Sequence, residues 1–178
     1  MKRILIAAIA LCAFASTGFA ASKDNTLYLD LKSGRVTIEL RPDLAPKMVE
    51  RVKKLTKEGF YNGLKFHRVI TGFMAQTGDP TGTGSGGSSY PDVPGEFSKE
   101  PFKRGSLGAA RTQNPNSDNS QFFICFEEAS HLNGKYTVFG QVVSGMELVD
   151  RIKKGNGQGG EVFNPDVIVK MQLASDAK

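Results

Sequence analysis

Two runs, TLYLDL (26–31) and RVTIEL (35–40), alternate apolar and polar residues on either side of Lys32-Ser33-Gly34. Successive side chains of a strand point to opposite faces, so each run has one apolar and one polar face, and the short connection folds them into a hairpin. A chain that opens this way is committed to antiparallel sheet with one side buried. Further strand-like runs follow in KFHRVI (65–70), FMAQT (73–77), QFFICFE (121–127), TVFGQVV (137–143) and DVIVKMQL (166–173). Helical spacing occurs only twice. Pro46 suits a first helical position, Val49, Val52 and Leu55 recur every third residue, and Gly59 can end the segment. Lys47, Arg51 and Lys54 fall on its other side as a solvated face, with Glu50 placed to pair with Lys54. Ser144-Gly145-Met146-Glu147 reads as a capping box for a second helix through Leu148, Val149 and Ile152 to Gly155. Between 78 and 106 lies a long Gly-, Pro- and Ser-rich stretch, of the kind that wraps a surface or serves a function. Many strands, two helices and no strand–helix alternation predict an all-β antiparallel barrel or sandwich with helices at its edges.

At 178 residues, 39% hydrophobic and 23% charged, the chain suits one compact domain rather than two. Its first residues are set apart: Lys2 and Arg3 precede an uncharged run, ILIAAIALCAFAS, that ends in Gly18-Phe19-Ala20. Residues 1–20 therefore read as a signal peptide cleaved after Ala20, the run being shorter than the roughly 20 apolar residues of a membrane span. Cys12 follows bulky Leu11, which argues against lipid attachment there. Without Lys2 and Arg3 the remaining 21 basic residues face 18 acidic ones, a formal net of +3. So small an excess argues against nucleic acid, and cleavage leaves no membrane anchor. Only Cys125 remains, in QFFICF, as a buried structural thiol; no internal disulfide is available.

Several motifs are decoys. GTGSGG (82–87) satisfies G-x-G-x-x-G, but Ser88 to Pro94 contain two prolines and no helical pattern, so the dinucleotide-binding context is missing. Two histidines, His67 and His131, lack metal-ligand spacing, and no G-x-S-x-G elbow accompanies Ser120 or Ser130. What remains is Arg68 in a strand, the amides of Gln76 and Gln121, and many aromatic and aliphatic residues. Such a set can grip and polarise a neutral group without covalent catalysis. It fits either a peptide-binding module or a catalyst of a reaction that breaks no bond.

FHRVITGFMAQTGD (66–79) and NSQFFICFEEASHLNGKYTVFG (119–140) closely resemble the cyclophilin family of peptidyl-prolyl cis/trans isomerases, and the resemblance runs from about Thr26 to Leu173. It implies a closed eight-stranded antiparallel β-barrel with a helix over each end, and an active groove on the barrel's outer surface. The catalytic arginine falls on Arg68, supported by Gln76. The proline pocket falls on Phe73, Met74, Phe123 and Leu132, with Phe66 and Ile70 adjoining. Gln76 and Gln121 take the places of the groove amides, and Ala110 and Arg111 those whose main chain pairs with bound peptide. Three positions depart from the pattern. Arg111 stands where many members have Asn, His131 where many have Trp, and Tyr136 where a groove histidine is usual. His131 trims the pocket rim, so only weak cyclosporin binding is implied. The resemblance implies no cofactor, metal or nucleotide, and with the leader it is to an exported, periplasmic bacterial form. Residues 21–178 are then one isomerase domain, expected as a monomer acting on proline-containing polypeptides. A non-catalytic chaperone that grips proline segments is the alternative, although such a binder would need the pocket and not the guanidinium.

Overall fold

The structure, a computed structural model, describes residues 22–177; the leader expected over 1–20 and its cleavage point lie outside the described residues. The opening hairpin forms as its alternation requires. Strand β1 (Thr26–Leu31) pairs antiparallel with β2 (Gly34–Leu40), and Leu31 faces Gly34 across a tight turn. Leu27, Leu29, Leu31, Val36, Ile38 and Leu40 are buried, each separated from the next in its strand by an outward-facing residue. Helix α1 (Pro46–Lys57) has Pro46 in its first turn and buries Val49, Val52 and Leu55 together with Met48 and Thr56. It stops as expected, with Gly59 at φ +71° just past the cap. Ala45 at its N-cap offers no side-chain acceptor. Glu96 supplies one from the long central stretch, its carboxylate accepting from the Lys47 and Met48 amides at 3.1 and 2.9 Å. The expected Glu50–Lys54 pair does not form; Lys54 Nζ lies instead 4.0 Å from the centre of the Tyr90 ring.

Six more strands follow: β3 (Arg68–Ile70), β4 (Met74–Thr77), β5 (Ser106–Ala109), β6 (Phe122–Cys125), β7 (Val138–Ser144) and β8 (Lys170–Leu173). All pairings are antiparallel, in the order β3-β4-β6-β5-β7-β2-β1-β8. The strand count and antiparallel pairing meet the expectation, but the closed barrel needs correction. β3 and β8 are the two edges of one curved sheet and share no ladder. Only the segments before them touch, through a bridge between Lys65 and Val167 and backbone bonds such as Phe66 N to Asp166 O at 2.9 Å. β3 is too short, at three residues, to carry the ladder further.

The second helix also differs. Ser144 ends β7, and Gly145 is the N-cap with φ +83° and no side-chain bond, so no capping box forms. The chain leaves β7 too sharply for one: a β-carbon on Gly145 would press on the Arg35 carbonyl. Helix α2 is consequently the single turn Met146–Val149, set against β2. β5 carries no strand signal in its sequence, SLGA, yet all four of its residues are buried. Its small residues make space: a β-carbon on Gly108 would overlap the rings of Phe123 and Phe102.

The interior core is lined by the inward residues of the strands and by α1, with Phe122 edge-on to both Tyr61 and Phe139. The central stretch straps across the outside. Val93 N donates to Asp118 O at 2.7 Å, and Glu96 N to Thr137 Oγ1 at 2.9 Å. Thr137 Oγ1 in turn donates to Asp118 Oδ2 at 2.7 Å, while Oδ1 of this fully buried carboxylate has no partner among the described residues. Burial pushes the Asp118 carboxyl up to about 6, against the Thr137 bond and the Arg111 charge, and Glu96 and Asp92 add to the rise. The folded protein thus holds this proton more tightly than the unfolded chain, whose carboxyl titrates near an ordinary value of about 3.9. Stability contributed here falls as pH rises from about 4 to about 6. Asp118→Asn keeps an oxygen for Thr137 and removes the charge. Urea denaturation should find it more stable than the parent at pH 7 by about 1–3 kcal/mol, the gap closing below about pH 4. A gap independent of pH would contradict this account.

Candidate active site

Strand register builds the site. Arg68 faces Gln76 across β3 and β4, Gln76 faces Phe123 on β6, and Phe123 faces Gly108 on β5. Two residues along, on the same face, Ile70, Met74 and Cys125 stand in line. Side chains of a row share a face. The alternate residues Ala75, Phe122 and Ile124 enter the interior core, whereas Met74, Phe123 and Cys125 form a second apolar cluster with Phe102, Ala129, Leu132 and Val138. This outer cluster also packs Ile70, Phe73, Ala110 and Tyr136. A strand-rich protein rarely has two apolar faces on one sheet without using both, and the outer one opens into a groove of about 840 Å³.

The groove gathers most of the residues singled out in the sequence. Phe73, Met74, Phe123 and Leu132 line its apolar end, with His131 and Tyr136 at the rim. The Phe73 and His131 rings stand 5.1 Å apart, and Tyr136 meets Phe123 edge-on at 6.1 Å. Arg68 and Gln76 line the polar end, and Ala110 and Arg111 the opposite wall. The Arg111 guanidinium lies 4.5 Å from the Tyr136 ring centre and donates to the Lys135 carbonyl at 2.8 Å. Ile70 supports the apolar cluster without lining the groove, and Gln121 lies behind Gln76. Phe66 is a correction. It is fully buried in the interior core with Val69, because Phe66 and His67 precede the regular strand and the alternation that would align Phe66 with Arg68 is broken. Cys125 is buried behind the groove, where burial raises its thiol to about 12, so it packs and does not react.

Arg68 is half-buried and held at two points. Its Nε donates to Gly159 O at 3.0 Å and its Nη1 to Gln76 Oε1 at 3.1 Å. Gln76 Nε2 donates to Gln121 Oε1 at 2.8 Å, and Gln121 Nε2 donates to the carbonyls of Gly84 and Gly86 at 2.9 and 2.8 Å. A guanidinium only donates and a carbonyl only accepts, so both amides have one possible orientation. The remaining guanidinium hydrogens have no protein acceptor among the described residues. They are available to a group in the groove.

Residues not foreseen also line this space: His67, Gly82, Thr83, Gly84, Gly159 and Glu161. Gly82 to Gly84 belong to the decoy motif, and their three amides donate to Asp79. His67 is buried, burial lowers its pKa, and neither ring nitrogen has a protein partner among the described residues. The only signal for His67 was its position beside Arg68. The 159–161 segment gave none, since its contact with Arg68 spans 91 positions. Among the described residues no three His, Cys, Asp or Glu side chains gather as metal ligands.

Comparison with known proteins agrees with this arrangement. A family model described as cyclophilin type peptidyl-prolyl cis-trans isomerase/CLD matches residues 26–173. A probable peptidyl-prolyl cis-trans isomerase of Brucella suis is 58% identical over 174 residues, covering 91% of this chain and 89% of that protein. A peptidyl-prolyl cis-trans isomerase of Helicobacter pylori is 41% identical over 157 residues, covering 86% and 91%. Among solved structures, a cyclophilin from Hirschia baltica superposes with a TM-score of 0.79 at 27% identity, covering 89% of this chain and 77% of that one. A Cryptosporidium parvum cyclophilin-type isomerase, determined in the presence of the dipeptide Ala-Pro, gives 0.76 at 28% identity, covering 83% and 98%. A family model that spans residues 26–173 and a relative 58% identical over nine-tenths of the chain show that this chain belongs to the cyclophilin-type peptidyl-prolyl cis-trans isomerase family.

Proposed function

We propose that the groove accelerates rotation about X-Pro bonds by holding the prolyl ring still and offering Arg68 to the twisted amide. The observation that carries this reading is the two-point tether of Arg68, which leaves hydrogens free at the edge of an apolar pocket. Rotation faces a barrier of about 18–20 kcal/mol because amide resonance must be lost, and unaided it takes tens to hundreds of seconds. No bond breaks, so no nucleophile or cofactor is needed. On twisting, the proline nitrogen becomes pyramidal and regains a lone pair. A guanidinium aimed there binds the transition state and not the planar amide.

One charge-assisted hydrogen bond is worth roughly 1.5–3 kcal/mol, whereas a 10⁴-fold acceleration needs about 5.4 kcal/mol. Arg68 therefore supplies the selective part. Phe73, Met74, Phe123 and Leu132 supply the rest by fixing the ring while the preceding carbonyl swings, and by taking the planar amide out of water. Gln76 keeps Arg68 in register, Ala110 and Arg111 pair with the peptide main chain, Gln121 backs Gln76, and His131 and Tyr136 bound the rim. With His131 there, cyclosporin should bind weakly. The substrates are proline-containing polypeptides, and the protein assists the folding of exported chains in the periplasm as a monomer of residues 21–178. What supports that location is the leader pattern of Lys2, Arg3 and the uncharged run up to Ala20.

Two measurements test this reading. Arg68→Ala should retain peptide affinity while its turnover falls by about 10- to 150-fold, followed by exchange NMR on an X-Pro peptide with protein at substoichiometric amounts. An unchanged exchange rate would refute the role of Arg68. N-terminal sequencing of the protein recovered from periplasm should begin at Ala21, and recovery of the uncleaved chain from the cytoplasm would refute export.

A further inference from the structure

The glycine-rich segment that imitates a phosphate loop is wrapped around an anion of its own chain. Asp79 is 1% exposed, and its carboxylate accepts from Thr81 N at 2.7 Å, Thr81 Oγ1 at 2.8 Å, Thr83 N at 3.0 Å, Gly84 N at 2.6 Å and Gly86 N at 3.2 Å. Backbone amides converging on one anion form a nest. Burial would raise this carboxyl, but the Thr81 hydroxyl and amide and the Gly86 and Gly84 amides outweigh it and hold it down at about 2. The segment admits no bulk: a β-carbon on Gly86 would overlap the carboxylate.

Residues 84 and 86 are bound on both sides. Their amides point at Asp79, and their carbonyls accept from Gln121 Nε2. From there the bonds continue through Gln121 and Gln76 to Arg68. We infer that Asp79 is a positioning residue for the isomerase reaction, setting the orientation of the Arg68 guanidinium through the Gly84–Gly86 carbonyls, Gln121 and Gln76. Without the anion, nothing aims both carbonyls at one amide. Gln121 is then free to invert, and an inverted Gln121 turns an NH₂ toward the Gln76 donor and unseats Arg68. The pocket side chains Phe73, Met74, Phe123 and Leu132 take no part in this chain of bonds. Disturbing Asp79 should therefore reach turnover before it reaches affinity.

The inference rests on the isomerase reading, and one of its readouts does not depend on activity. In Asp79→Asn, kcat for X-Pro exchange should fall about tenfold with KM within about twofold, since misaligned catalytic groups cost rate more than binding. The side-chain amide signals of Gln76 and Gln121 and the Nε–H signal of Arg68 should shift in the NMR spectrum of the folded variant. In a Gln121→Ala background the same substitution should cost nothing further, as expected for groups acting in series. Thr81→Val removes one donor from an exposed position and should show the same shifts at smaller amplitude, which keeps the inference testable if Asp79→Asn fails to fold. Additive losses in the double variant, or unmoved Gln76, Gln121 and Arg68 signals in either folded variant, would overturn it. If the parent protein did not catalyse exchange, the isomerase reading would fail, while the side-chain signals would still decide whether Asp79 orients Arg68.

Discussion

A guanidinium can donate hydrogen bonds and cannot accept them, and this asymmetry organises the polar end of the groove. Because Arg68 donates to Gln76, Gln76 must donate onward to Gln121, and Gln121 must end on carbonyls. A direction is thereby imposed on a row of neutral amides, by a donor at one end and by carbonyl acceptors at the other. Buried side-chain networks of this kind are stable only when every member is satisfied. The side of Arg68 away from Gln76 and Gly159 is the exception, and it faces the space where a peptide would lie. The polar end of the groove is rigid on one side and unsatisfied on the other, which is what the proposed binding of a twisted amide would require.

The apolar end depends on a different constraint, the close packing of Phe123. Its ring stacks on Phe102 at 5.7 Å and meets Tyr136 edge-on, and it has room only because Gly108 opposite has no side chain. A sheet that buries its inner face in the ordinary way has been given a second hydrophobic cluster outside. The two carboxylates buried near the groove play opposite parts. Asp79 is satisfied by five donors and holds its loop closed; Asp118 has one oxygen without a partner and lowers stability at neutral pH.

Much of this was legible in the sequence, for definite reasons. The hairpin of β1 and β2 and helix α1 announce themselves because burial there is one-sided and periodic, so local pattern and tertiary role coincide. The groove residues on β3, β4 and β6 were identified by resemblance, and the register explains why they meet. What stayed hidden was set by non-local geometry. β5 uses Gly108 to clear room for the rings of Phe102 and Phe123, six and fifteen positions away, contrary to strand propensity. The capping box at Ser144 failed because β7 already claims that residue. Phe66 was misassigned because the strand begins three residues later than its composition suggests. Gly159, which holds Arg68, and Asp79, which anchors the glycine loop, carry no local mark of either role.

The central claim is that Arg68 works through its directed, two-point geometry and not through charge alone. Replacing it with lysine tests this most directly, because lysine keeps the charge but cannot bind Gly159 and Gln76 while presenting a third donor along a fixed line. The account predicts that Arg68→Lys, measured by exchange NMR on an X-Pro peptide, loses most of its turnover while the peptide still binds. Turnover close to that of the parent protein would show that a point charge is enough, and would contradict it.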